Sequence, residues 1–180
     1  MSQVTQIVGF ALWLAALAAF WHAYAGRRKL PPALIAPGYL ALLPLAFLLR
    51  GMLGDASLAL PALCHLAGGG APMTRKGRLL LGFLAIVTLA LAVSALGLIA
   101  TDLYASGYAP GLLVVIVACG VAAAYRWLPV LGWSWLLGLG LSAAGLHPSP
   151  NLWDALVDLP SLVLAAVILV RTRAAKLQSG

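Results

Sequence analysis

The chain has 180 residues, 63% of them hydrophobic and 8% charged, with a mean hydropathy of +1.04. Soluble domains are about 45–50% apolar and about 25% charged, so this composition excludes a water-soluble fold and makes lipid the solvent for much of the surface. The net charge of +7 does not indicate nucleic acid, because the basic residues fall in short clusters between apolar runs, where membrane orientation signals lie.

The first apolar run, residues 4–25, is long enough to cross a bilayer, for which about 20 residues are needed. No Lys or Arg precedes it, whereas Arg27, Arg28 and Lys29 follow it. A signal peptide carries its basic region first, so this run reads as an anchor that enters with its N-terminus outside. Pro31 and Pro32 break the chain, and residues 33–49 return across the membrane. Pro37 and Pro44 are expected to kink this second run, since each removes a backbone donor. It ends at the stretch from Arg50 to Asp55.

Residues 56–71 are apolar but short, interrupted by Pro61 and closed by Gly68, Gly69 and Gly70. Runs this short are re-entrant or buried in protein as often as they span, and the basic cluster Arg75, Lys76, Arg78 that follows points to a broken or tilted crossing. Residues 79–100 form a clean span, followed by a polar loop over 101–110. Residues 109–125 cross to Arg126, residues 128–146 return to His147-Pro148-Ser149-Pro150-Asn151, and residues 155–170 make the last crossing, ending at Arg171, Arg173 and Lys176.

The pattern predicts an all-α, polytopic transmembrane helix bundle of about seven hydrophobic segments, six clear and one short or broken, in a single integral membrane domain over residues 1–180. With the N-terminus out and the C-terminus in, 10 of the 11 basic residues lie on the cytoplasmic side, leaving Arg50 outside. All four acidic residues, Asp55, Asp102, Asp154 and Asp158, fall on the outer side. Trp21, Tyr24, Tyr125 and Trp127 mark the inner interface, and Tyr104, Tyr108 and Trp153 the outer one. Small residues four apart, Gly120 with Ala124 and Ala90 with Ser94, suit helix contacts. Cys64 and Cys119 have no metal-type spacing and are expected to pack as small apolar side chains. Compactness and an Ala/Leu/Gly-rich composition suggest the bacterial cytoplasmic (inner) membrane.

The topology gathers the outer polar residues into one layer. Asp154 and Asp158 are four apart and so share a helix face; with His147 they could ligate a divalent cation or act as an acid–base pair. The plainer reading is that Asn151 caps the helix and Asp154 complements its dipole. Asp158 lies deeper and is the strongest single candidate for function. Arg50 pairs with Asp55 or binds a lipid phosphate. Asp102 sits in a turn set by Gly107 and Pro110, with Tyr104 and Tyr108 as interface anchors. His22 and His65 are isolated and read as satisfied polar tips.

The chain has no HExxH, GxSxG or Walker-type glycine loop, and no metal or cofactor is expected. No charged residue lies near the middle of a clean span, which argues against a proton-coupled transporter or an ion channel. The leading expectation is a non-catalytic structural or accessory component of an envelope system, surrounded by membrane lipids and joined to a protein partner or to its own copies. An alternative is a membrane enzyme or lipid-handling protein using Asp158, Asp154, His147, Asp102 and Arg50. A third is a small-solute transporter built on the broken segments 33–49 and 56–71, with a pocket lined by Pro44, Pro61 and His65.

Overall fold

The computed structural model describes residues 3–70, 73–108 and 111–178, with side chains left out of the description at 111–116 and 175–178. Pro110 and the side chain of Lys176 thus lie outside the described residues. Among these residues every element is helical: α1 (Gln3–Arg28), α2 (Pro32–Leu53), α3 (Ala59–Gly69), α4 (Arg75–Ala95), a 3-10 turn (Tyr104–Gly107), α5 (Gly111–Trp127), α6 (Pro129–Ala143), α7 (Leu152–Leu156) and α8 (Leu159–Gln178). Helices α1, α2 and α4 are long and apolar enough to cross a membrane. Large apolar side chains such as Leu40, Phe47, Leu79, Phe83 and Ile86 point outward from α2 and α4, as lipid contact requires.

Prolines set several helix starts. Pro32 and Pro129 occupy the first turns of α2 and α6, where a missing N–H costs nothing. Pro37 and Pro44 lie inside α2, which continues through both and runs on to Leu53, so Arg50 belongs to its last turn and not to a loop. The basic cluster expected to precede the span at 79–100 is itself helical: Thr74 caps α4 by accepting from Gly77 N at 3.1 Å, and the helix ends at Ala95.

The short third segment forms the centre of the molecule. Ala59, Leu60, Ala62 and Leu63 of α3 are at most 2% exposed, and α3 packs against α1, α6 and α8. Gly9 of α1 abuts the Asp55 carboxylate, Gly68 abuts the Phe20 carbonyl, and Gly70 abuts the Arg27 guanidinium. Residues 55–70 therefore run beside α1 from the level of Gly9 to the level of Arg27, about 27 Å of helix at ~1.5 Å per residue. Helix α3 supplies roughly 16 Å of that height, and extended chain before it supplies the rest. Non-helical backbone at such depth is tolerated where protein covers it.

Hydrogen bonds hold that linking chain at Gly54, Ser57 and Leu58. Gly54 leaves α2 with φ 78° and ψ −158°, a conformation open essentially to glycine alone. Its carbonyl accepts from Trp13 Nε1 at 2.7 Å. Ser57 N donates to Asp158 Oδ2 at 2.6 Å, and Leu58 N donates to the Ala155 carbonyl at 3.0 Å.

The last apolar segment differs from the continuous helix expected over 155–170. It breaks at Val157 and Asp158 into α7 and α8. The cause is Pro160, which has no N–H for the Leu156 carbonyl and whose ring would clash with it. That carbonyl instead accepts from Trp135 Nε1 at 2.9 Å. The two broken segments meet at their breaks, each using the other's free backbone groups.

At the contact of α5 with α6, Gly132 lies directly on the backbone of Ala124 and Tyr125, and Gly120 faces the Trp135 ring. Gly120 and Ala124 thus serve a helix contact as their spacing suggested. Ser94 serves the loop instead: its Oγ accepts from Leu103 N at 2.7 Å and donates to the Thr101 carbonyl at 3.1 Å. Both cysteines are free thiols, but Cys119 is exposed where burial was expected, whereas Cys64 is half-buried.

Candidate functional site

The residues at one end of the bundle surround a cleft of about 490 Å³, walled by Asp55, Thr88, Tyr104, His147, Ser149, Asp154 and Asp158 on its polar side. Leu53, Leu91, Leu96, Val157 and Leu159 form its apolar side. The C-terminal ends of α2 and α4, the 3-10 turn and the α7–α8 break position these groups. Of the five candidates named from sequence, Asp158, Asp154 and His147 line the cleft.

The other two do not. Arg50 stands behind the wall with its Nε 2.8 Å from Asp55 Oδ1, the plain ion pair, both side chains about a quarter exposed (24% and 27%). Asp102 is exposed and spends its Oδ1 on Ala105 N at 2.9 Å, which caps the 3-10 turn. Tyr108 is exposed and stands edge-on to Tyr104. Elsewhere, His22 Nδ1 lies 3.2 Å from the Tyr39 hydroxyl. Pro44, Pro61 and His65 line neither this cleft nor two further cavities of the bundle.

Each carboxylate of the cleft accepts hydrogen bonds from other parts of the chain. Asp154 accepts from the Tyr104 hydroxyl at 2.7 and 2.8 Å and from Ser149 Oγ at 2.6 Å. Asp158 accepts from Ser161 N at 2.6 Å, making it the N-cap of α8, and from Ser57 N at 2.6 Å across the break. The hydroxyls of Ser57 and Ser161 meet at 3.2 Å beside it, both fully buried. The sharing of one helix face by Asp154 and Asp158 is therefore corrected: the break at Pro160 puts them on separate helices. Among the described residues no three His, Cys, Asp or Glu side chains are placed to hold a metal ion, so His147, Asp154 and Asp158 do not form the ligand set their sequence proximity suggested.

Asn151 caps α7 as expected, with Oδ1 accepting from Trp153 N at 2.9 Å. Its Nδ2 donates to the Tyr104 carbonyl at 3.1 Å, and Gly107 leaves the space its amide fills. The 3-10 turn and α7 are thus locked together, which fixes the Tyr104 hydroxyl on Asp154. Burial, then the hydrogen bond and charge of Asp154, hold the Tyr104 phenol well above its ordinary value. The phenol keeps its proton through mildly alkaline pH, and its contribution to stability is lost only as pH rises through that raised value. Tyr104→Phe is expected to cost about 1.5–3 kcal/mol, the worth of a hydrogen bond to a charged acceptor, read as a lower unfolding midpoint in detergent. No measurable shift would mean that Ser149 alone suffices to hold Asp154.

His147 is 5% exposed. Its Nδ1 lies 3.2 Å from both the amide and the carbonyl of Ser149, either of which can be its partner. Its Nε2 is the one buried side-chain polar atom among the described residues without a partner.

Sequence reasoning missed Ser57, Ser149 and Ser161. Asp158-Leu159-Pro160 is a helix-start signal that could have placed the α8 cap. The union of Ser57 with Ser161, 104 residues apart, leaves no local signal. Comparison with family models, curated proteins and solved structures finds no match for this chain. The class is therefore defined by the fold alone: among the described residues it is all-helical, with three helices long and apolar enough to cross a membrane.

Proposed function

We propose that the protein is a multi-pass component of a bacterial cytoplasmic membrane, with α1, α2, residues 54–69, α4, α5, α6 and the α7–α8 pair as seven crossings of one domain. The N-terminus lies outside and the C-terminus inside. The side-to-side consistency of the contacts supports this layout: Gly9 meets Asp55, Tyr104 meets Asp154 and Ser57 meets Asp158, while Gly70 meets Arg27 and Lys76 lies over Trp127. Basic residues gather at the second set of levels, which supports placing it on the cytoplasmic side.

Its role in that membrane is structural or accessory, not catalytic. The observation that carries this reading is the commitment of Asp55, Asp154 and Asp158 to contacts that hold the chain together. A catalytic acid or base needs a proton-transfer partner in the substrate, and these carboxylates already serve Arg50, two hydroxyls and two backbone amides. Native mass spectrometry of the protein extracted gently from its own membrane tests the proposal. A stoichiometric protein partner or a defined homo-oligomer is expected; a bare monomer would contradict it.

A second reading, an enzyme or lipid-handling site in the acidic cleft, is favoured by one observation, the unpartnered Nε2 of His147. Buried polar atoms left without a partner mark strain, catalysis or a bound group. The readings part at His147→Gln. Under the accessory reading assembly is unchanged; under the second, a lipid or polar ligand that co-purifies with the protein is lost while the fold persists.

A further inference from the structure

At the end of the bundle opposite the acidic cleft, α4 and α8 leave a second cleft of about 420 Å³, walled by Arg75, Arg78, Leu79, Leu169, Val170 and Arg173. Three arginines from two helices line it. The chain's four acidic residues are Asp55, Asp102, Asp154 and Asp158, none of them in this wall. Arg78 Nη1 donates to the Met73 carbonyl at 2.9 Å. Arg75 and Arg173 are exposed and have no hydrogen-bond or ion-pair partner among the described residues.

Like charges gathered without a counterion repel one another, and an anion in the cleft relieves that. The N-terminus of α4 opens on the same place, with no acidic residue in its first turn, and adds the positive end of its dipole. The planar fork of guanidinium matches phosphate oxygens in pairs. The remaining wall is wholly apolar and continues along the lipid-facing sides of Leu79 and Val170, both of them exposed. An occupant must therefore present a phosphate to the arginines and hydrocarbon to the leucines.

We propose that the α4–α8 cleft binds a phosphate-bearing anionic lipid, its headgroup held by Arg75, Arg78 and Arg173. Basic pockets between membrane helices on the cytoplasmic side are suited to such headgroups. Orientation alone would require the same charges but no shared cleft. Arg171 makes this distinction testable, because it carries equal charge two residues away and is not part of the wall. The phosphate reading of Arg50 is less favoured chemically, since its guanidinium already pairs with Asp55.

The test uses the full chain in detergent, offered phosphatidylglycerol, phosphatidylcholine or inorganic phosphate, with bound species counted by native mass spectrometry. Phosphatidylglycerol is expected to be retained over phosphatidylcholine. The double variant Arg75→Gln/Arg173→Gln should weaken that retention about 30-fold, from two lost electrostatic contacts. Arg171→Gln should leave it unchanged, and Arg75→Lys/Arg173→Lys should retain it in part, which guards against loss through misfolding. Equal weakening by Arg171→Gln, or no preference for the anionic lipid, would overturn the proposal. Displacement of the lipid by equimolar inorganic phosphate would overturn the lipid assignment.

Discussion

Asp158→Ala is expected to lower the unfolding free energy by about 3–5 kcal/mol, measured by reversible denaturation in mixed micelles. The carboxylate accepts from Ser161 N and from Ser57 N, both at 2.6 Å. Hydrogen bonds to a charged group are worth about 1.5–3 kcal/mol each, and alanine offers neither. The loss falls at two places at once, because the first bond caps α8 and the second satisfies extended backbone leading into α3. Ser57 is fully buried, so its amide would have little access to water. Asp158→Asn keeps one acceptor oxygen and should recover about half of the loss. If both variants unfold like the parent while a biological activity disappears, Asp158 is a functional carboxylate and the structural reading of it fails.

A second large effect is expected at Gly68, with its neighbour Gly69 as an internal control. A Cβ at Gly68 would lie 2.5 Å from the Phe20 carbonyl oxygen and 3.2 Å from Tyr24 N, both backbone atoms of α1 that cannot turn aside. Gly68→Ala must therefore push α1 away from α3 and should cost about 2–4 kcal/mol, the upper range for overpacking. A Cβ at Gly69 would meet only the Ala23 Cβ at 3.7 Å, an ordinary contact. Gly69→Ala should be neutral or stabilising by up to about 1 kcal/mol, through the better helix propensity of alanine. Thermal unfolding of the two single variants checks both signs. Equal behaviour would mean that α1 and α3 are not packed as closely as described.

The all-helical architecture was legible because composition forces it. In lipid, backbone polar groups must be satisfied within the segment, and runs such as residues 4–25 and 79–100 leave no other choice. The third segment was legible as short and irregular, but the interruption expected at Pro61 is absent: α3 runs through Pro61 from Ala59 to Gly69, and the non-helical chain precedes it at 54–58. The segment's place at the centre of the fold was not legible, because periodicity in an almost wholly apolar run cannot separate a protein-facing side from a lipid-facing one. The break before α8 had a signal in Pro160, but it was obscured by the apolar residues on both sides, which read as one span.

The acidic site was legible as a layer and not as a geometry. Of the nine residues expected in that layer, Asp55, Tyr104, His147, Asp154 and Asp158 line the cleft, whereas Arg50, Asp102, Tyr108 and Asn151 do not. Which donors each carboxylate takes depends on contacts such as Ser57 with Asp158, 101 residues apart, that no local pattern encodes. Arg50 with Asp55 was the exception, being five residues apart across a turn. The arginine cleft went unseen for a related reason: its charges had already been explained by orientation, and only the packing of α4 on α8 brings them together.

The most direct test of the account is the sidedness of the chain, read from reporter fusions after residue 100, in the loop before the 3-10 turn, and at the C-terminus. Alkaline phosphatase, active only outside the cytoplasm, is expected to be active at the loop and inactive at the C-terminus. A fluorescent protein that matures in the cytoplasm should show the reverse. The acidic cleft would then face outward and the arginine cleft inward. Activity of both reporters on the opposite sides, or of the phosphatase at both positions, would contradict the layout on which the proposed role and the lipid site depend.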